Sequence, residues 1–284
     1  MAAEWLWVDG QQAAMVPADD RGLLLADGVF ETIRIERRRP SLSHYHLARL
    51  VAGLGALNFP HAQHLAQESL ERVLGWGCAH TGHEGDAVLR LSVTRGSGPR
   101  GYAPPNSATP RVIARLNAGL PKPCPHLRLS TVAINWPDQP YLAGLKLLAR
   151  TEQILAIMDA QQKGFDDALM RDAQGRLIST ASGNLFFRLG DRLITPTLTQ
   201  CGIAGTRREH IITVVGRSCG YSVEETVCEL ALLDIVNEVF TCNAISGIRS
   251  VASIAHEGQA WSFDDQSAVG RLAPHIHLAS SLAL

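Results

Sequence analysis

Lys146 lies in the run Tyr141-Leu-Ala-Gly-Leu-Lys-Leu-Leu-Ala-Arg150, and only Lys122 and Lys163 accompany it as lysines in 284 residues. An amine among leucines loses hydration in its charged form, so its pKa falls and more of it is the neutral nucleophile. That is the state a lysine needs to condense with a carbonyl. A lysine snorkelling from an apolar surface has the same local sequence. The choice depends on what else in the chain could hold a carbonyl cofactor.

Arg95-Gly-Ser-Gly-Pro-Arg-Gly-Tyr102 follows the strand-like Val88-Leu-Arg-Leu-Ser-Val-Thr94. Glycines let backbone approach a ligand, and two guanidinium forks suit a carboxylate or phosphate. The segment reads as an anion-binding loop; a hairpin turn with solvated arginines fits the same residues. It lacks the lysine and spacing of a Walker loop. Cys201-Gly-Ile-Ala-Gly-Thr206 enters a helix near Thr206, where orphan N–H groups and the helix dipole favour an anion. Thr241-Cys-Asn-Ala-Ile-Ser-Gly-Ile248 could form a second cup. Ordinary left-handed turns would look alike at both places.

These residues must be positioned by a fold, and the pattern predicts α+β. Strands are expected at Glu4–Val8, Phe30–Glu36, Ala87–Thr94 and Arg111–Leu116, with helices around His44–Leu57 and Ala62–Trp76. Three prolines in Asn117-Ala-Gly-Leu-Pro-Lys-Pro-Cys-Pro125 predict a linker, giving domains at 1–116 and 125–284 around a connection at 117–124. Beyond it come a strand at Leu127–Ala133, a helix after Lys146, strand pairs Asp167–Arg171 with Leu177–Ser179 and Asn184–Leu189 with Arg192–Thr195, a helix near Thr206–Cys219 and a strand near Glu238–Asn243. Neighbouring strand pairs favour α+β over a doubly wound sheet.

Composition narrows the classes. A net charge of −1 and 19% charged residues give no nucleic-acid stripe or membrane-surface patch. No apolar run is long enough to span a bilayer, and the first residues lack a signal-peptide pattern. The six scattered cysteines (Cys78, Cys124, Cys201, Cys219, Cys228, Cys242) read as reduced thiols of a cytoplasmic protein. No spacing suggests a metal site, and His44 and His46 read as surface or capping residues.

Taken in order, Asp27-Gly-Val-Phe-Glu-Thr-Ile-Arg34, His46-Leu-Ala-Arg49, Lys146, Gly183-Asn-Leu-Phe186 and Gly202-Ile-Ala-Gly-Thr206 resemble the fold-type IV pyridoxal-phosphate enzymes. That family includes branched-chain and D-amino-acid aminotransferases and aminodeoxychorismate lyases. The Arg95–Tyr102 loop and the Leu-Ala-Gly-x-Lys run are most similar to the lyases. The resemblance implies the two-domain α+β architecture of the D-amino-acid aminotransferase type, pyridoxal 5'-phosphate as cofactor, and a homodimer. Lys146 corresponds to the Schiff-base lysine and Arg49 to the arginine on the cofactor phosphate. The amides of Thr206 and Arg207 correspond to the phosphate cup, and Asn243-Ala244-Ile245 to its second wall. Arg95, Arg100 and Tyr102 fall in the loop that meets substrate carboxylates, two of which 4-amino-4-deoxychorismate carries.

Two positions depart from the family pattern. Ser179, followed by Thr180, stands where relatives carry an acid for the pyridine nitrogen, with Asp172 the closest carboxylate in sequence. A hydroxyl cannot hold the nitrogen protonated, which weakens the electron sink. The expectation is a shift from transamination toward β-elimination, with an aminotransferase or a non-catalytic cofactor-binding protein as alternatives. Ala149 replaces an asparagine of some lyases three positions after the lysine.

Overall fold

The computed structural model describes residues 4–12, 15–81, 85–122 and 126–277. Cys124 and the tail Ser280–Leu284 therefore lie outside the described residues. The chain forms two compact units.

The first unit is built on a five-stranded antiparallel sheet, ordered β1-β5-β4-β2-β3. Its strands are β1 (Glu4–Val8), β2 (Gly28–Glu36), β3 (Arg39–Pro40), β4 (Ala87–Thr94) and β5 (Arg111–Ala118). Helices α1 (Arg21–Leu25), α2 (Ser43–Ala56) and α3 (Ala62–His80) complete it. Side chains alternate along a strand, so Val29, Ile33 and Ile35 share one face of β2. They pack there against Leu50 and Leu54 of α2 and Leu70, Val73 and Leu74 of α3. Gly53 of α2 makes this approach possible, because a Cβ there would sit 2.9 Å from Val29 Cγ1.

Among the described residues the unit differs from a linear division in one respect. Leu145–Ala149, far along the chain, groups with it. The cause is backbone pairing: Phe30 N–H donates to Lys146 O at 3.0 Å and Leu148 N–H to Gly28 O at 3.0 Å. The lysine thus belongs structurally to the N-terminal unit rather than to the 125–284 domain. The expected linker also begins late, since Asn117 and Ala118 extend β5.

The second unit contains β6 (His126–Thr131), α4 (Thr151–Gln162), β7 (Asp167–Arg171), β8 (Leu177–Thr180), β9 (Asn184–Leu189) and β10 (Arg192–Pro196). It continues through α5 (Thr206–His210), a π-helical turn at Ile211–Val215 and α6 (Gly216–Ser218). Then come β11 (Ser222–Thr226), β12 (Glu238–Asn243), β13 (Gly247–His256), β14 (Gln259–Ser262) and α7 (Ser267–Leu272). Strands β9-β12-β13-β6-β7-β8 are neighbours in turn, and one pairing of β8 with β9 closes them into a ring. Leu129, Leu169, Leu177, Leu185, Val239 and Val251, one from each ring strand, belong to a single core cluster. The closing pair is Ser179 with Asn184.

Candidate active site

In the first unit, successive residues of β2 meet two of the expected site residues. Lys146 Nζ lies 4.3 Å from the centroid of the Phe30 ring, whose face attracts a cation. Glu31, the next residue, is 1% exposed and accepts from Arg49 through Nε at 2.8 Å and through Nη2. His46 Nδ1 lies 2.6 Å from Glu31 Oε2, the oxygen to which Arg49 Nη2 also donates. Since a carboxylate only accepts, Nδ1 carries the proton. His44 is exposed, but His46 is fully buried, so the surface reading fails for His46. Its place one turn before Arg49 puts both on the face of α2 that covers the sheet. Burial alone would raise the Glu31 carboxyl, but the charges of Arg49 and His46 outweigh it and hold it at about 2.

The Arg95–Tyr102 loop is held from behind. Arg95 is 6% exposed; Nε donates to Asp27 at 2.8 Å, Nη2 to Leu57 O at 2.6 Å, and the guanidinium lies over Phe59. It anchors the loop inside the unit rather than facing outward. Arg21, which sequence reasoning did not single out, donates to Asp27 and to the carbonyls of Gly101, Tyr102 and Ala103. Burial pushes Asp27 up, and the two arginines together bring it below the usual carboxylate range. Gly96 has φ +80°, and a Cβ there would meet Thr109 O at 2.1 Å. Arg100 and Tyr102 remain exposed at the loop tip.

In the second unit the expected residues form one connected set. Asn184 Nδ2 donates to Ile203 O at 2.8 Å just before α5. Gly205 precedes Thr206, and a Cβ on it would lie 2.0 Å from Asn184 Oδ1. The Arg207 side chain crosses to the second wall, donating to Ala244 O at 3.1 Å. Asn243 Oδ1 accepts from Ile245 N–H at 3.0 Å and Ser246 N–H at 2.7 Å, so Asn243 shapes that wall and uses two of its donors. Asn243 Nδ2 in turn donates to Ser182 O at 3.2 Å.

Ser179 and Thr180 are both buried on β8. Thr180 Oγ1 accepts from Gly183 N–H at 2.9 Å. Ser179 Oγ accepts from Trp136 Nε1 at 2.9 Å. Asp172 is taken up by Arg176 and its own turn. A different carboxylate reaches this stretch: Asp167 on β7 accepts from Ser182 Oγ and from Ala168 N–H. Burial pushes its carboxyl up despite these donors. Strand pairing across β7 and β8 brings it there, which sequence distance concealed.

A profile described as amino-transferase class IV matches residues 28–254. The chain belongs to that family. It is similar to the aminodeoxychorismate lyase of Vibrio harveyi, with 30% identity over 88% of this chain and 91% of that protein. It is also similar to the crystal structure of 4-amino-4-deoxychorismate lyase from Pseudomonas aeruginosa, with 35% identity, a TM-score of 0.80, and 93% and 96% of the two chains covered. A putative branched-chain-amino-acid aminotransferase of Methanocaldococcus jannaschii is 27% identical over 86% of this chain and 84% of that protein. The fold is thus the α+β fold-type IV architecture of class IV aminotransferases. No helix among the described residues is long and apolar enough to cross a membrane.

Proposed function

We propose that this class IV aminotransferase homologue is a pyridoxal 5'-phosphate-dependent lyase that converts 4-amino-4-deoxychorismate to 4-aminobenzoate and pyruvate, a step of folate biosynthesis. The observation that carries the reading is Ser179 at the position of the family's acid, together with lyase relatives that match almost the whole chain.

The residues fit the cofactor. Thr206 Oγ1 is buried at the helix start without a hydrogen-bond partner among the described residues. A phosphate would give it an acceptor, beside N–H groups that have no partner within the helix. Arg49, oriented by Glu31, corresponds to the family's arginine for the cofactor phosphate. Pyridoxal 5'-phosphate supplies a carbonyl for Lys146 and an electron sink for the reacting carbon.

Lys146 Nζ removes the proton from the carbon bearing the substrate amine and returns one to the departing enolpyruvyl group, which becomes pyruvate. Arg100 and Tyr102 are assigned to the substrate carboxylates, while Arg95 and Arg21 hold their loop in shape. The reading includes a cytoplasmic homodimer; Leu23 and Leu24 of α1, both more than 60% exposed, are apolar surface such an assembly could cover.

The test is pyruvate release from enzymatically generated 4-amino-4-deoxychorismate, comparing wild type with Lys146→Ala in added cofactor. Release by wild type alone supports the lyase. No release by either, with a borohydride-reducible adduct present on wild type, would overturn it in favour of an aminotransferase.

A further inference from the structure

Ser179 has a neighbour that fixes one of its hydrogen bonds. Trp136 Nε1 lies 2.9 Å from Ser179 Oγ, and both side chains are buried. An indole N–H donates and cannot accept. Ser179 Oγ is therefore the acceptor in this contact, and its own proton must point elsewhere. No other hydrogen bond of that hydroxyl exists among the described residues. A buried O–H without an acceptor is unfavourable, so the arrangement suits a ligand that presents a lone pair.

The placement of Ser179 indicates which ligand. Its backbone pairs with Asn184 at the seam of the ring, and Asn184 reaches the chain entering α5 through Ile203 O. Ser179 is thus linked through one residue to the helix start assigned to the cofactor phosphate. The Arg150 guanidinium lies 5.8 Å from the Trp136 ring centroid. Asp167 is the competing carboxylate on the strand beside β8, already engaged by Ser182 and Ala168.

Resting on the cofactor reading above, we propose that Trp136 is a positioning residue: by donating to Ser179 Oγ it makes the Ser179 hydroxyl a donor toward the ring nitrogen of pyridoxal 5'-phosphate and holds that nitrogen as an unprotonated acceptor. The chain then replaces a carboxylate that keeps the nitrogen cationic with a two-residue relay that keeps it neutral. Trp136 does not touch the reacting atoms; it acts through Ser179.

The experiment reads the ring nitrogen itself. Protein is reconstituted with cofactor labelled with 15N in the ring, and the 15N resonance is recorded for wild type, Trp136→Phe, Ser179→Ala, the Trp136→Phe/Ser179→Ala double variant, Ser179→Asp and Asp167→Asn. Circular dichroism establishes folding, and borohydride reduction of a parallel sample establishes cofactor on Lys146. The expected wild-type signal is that of a hydrogen-bonded, unprotonated pyridine. Trp136→Phe and Ser179→Ala should move it in the same direction, toward free pyridine, and the double variant no further than Ser179→Ala alone. Ser179→Asp should move it to the pyridinium position. A protonated nitrogen in wild type overturns the proposal, as does a Trp136→Phe signal identical to wild type. If the wild-type pyridinium signal disappears in Asp167→Asn, that carboxylate acts in place of the relay. Should Trp136→Phe fail to fold, the wild-type and Ser179 spectra still decide the protonation state. Absence of any reducible adduct in wild type refutes the cofactor reading itself, whereas an adduct with a protonated nitrogen refutes the relay alone.

Discussion

Glu31 receives Arg49 through two guanidinium nitrogens while His46 holds the same carboxylate from Nδ1. Removing Glu31 leaves a cation in a nearly closed space, and breaking a buried pair in this way costs roughly 3–5 kcal/mol. Glu31→Ala should therefore lower the urea midpoint strongly and reduce cofactor retention. Equal retention and an unchanged midpoint would show that Arg49 is held by other contacts.

The same carboxylate sets an acid limit. Its folded pKa of about 2 lies below the ordinary 4.5, so its stabilising contribution is complete above about pH 4.5 and disappears as pH falls toward 2. Wild type should lose stability relative to Glu31→Gln across that window, with a constant difference above it. Denaturant titrations at stepped pH would measure this. Parallel curves throughout would contradict the assignment.

Gly96→Ala tests the loop anchor. At φ +80° an added Cβ is strained by about 1–2 kcal/mol, and here it also meets Thr109 O. We expect a rise in KM for the substrate larger than the fall in thermal stability would explain. Arg21→Ala should loosen the same loop, read as faster tryptic cleavage after the exposed Arg100 in native protein. Unaltered cleavage would mean that the three carbonyl contacts of Arg21 do not hold it.

Ser179→Glu restores an acid at the seam. The ratio of transaminase to lyase turnover should rise severalfold, measured with D-alanine or a branched-chain amino acid against 2-oxoglutarate. A fall in both activities together would separate the substitution from reaction choice.

Thiol reactivity is a fifth measurement. Burial pushes Cys201, Cys228 and Cys242 up to about 12, so they should resist alkylation at pH 8 until the protein unfolds. Cys219, the most exposed of the described cysteines, should label first among them by peptide mapping.

Much of this was legible in the sequence because alternation and spacing are local. Strands β1, β4, β7, β9 and β12 fall where their residues predict, and Lys146, Arg49 and Thr206 stand out by motif. The polar edge strand β11 and the short α1 carry too little periodicity to be read. The anchoring of Arg95 is hidden in the sequence because its partners Asp27 and Leu57 lie 68 and 38 residues away. An arginine beside three glycines looks solvent-facing until the sheet brings those partners together. His46 was misjudged for the same reason, since its acid is on a different element. Trp136 and Asp167 have no local signal: strand pairing and a loop after β6 bring them to β8.

The grouping of Leu145–Ala149 with residues from before Pro121 constrains how this chain can be divided. A fragment ending at Pro121 would lack the backbone that pairs with the start of β2. It would also lack the amine that faces Phe30. Exchanging the first unit with that of a relative by a single crossover would therefore pair β2 with a foreign segment. A chimera that preserves this pairing needs two additional junctions, one on each side of Lys146, so the five residues must travel with the strand they bridge.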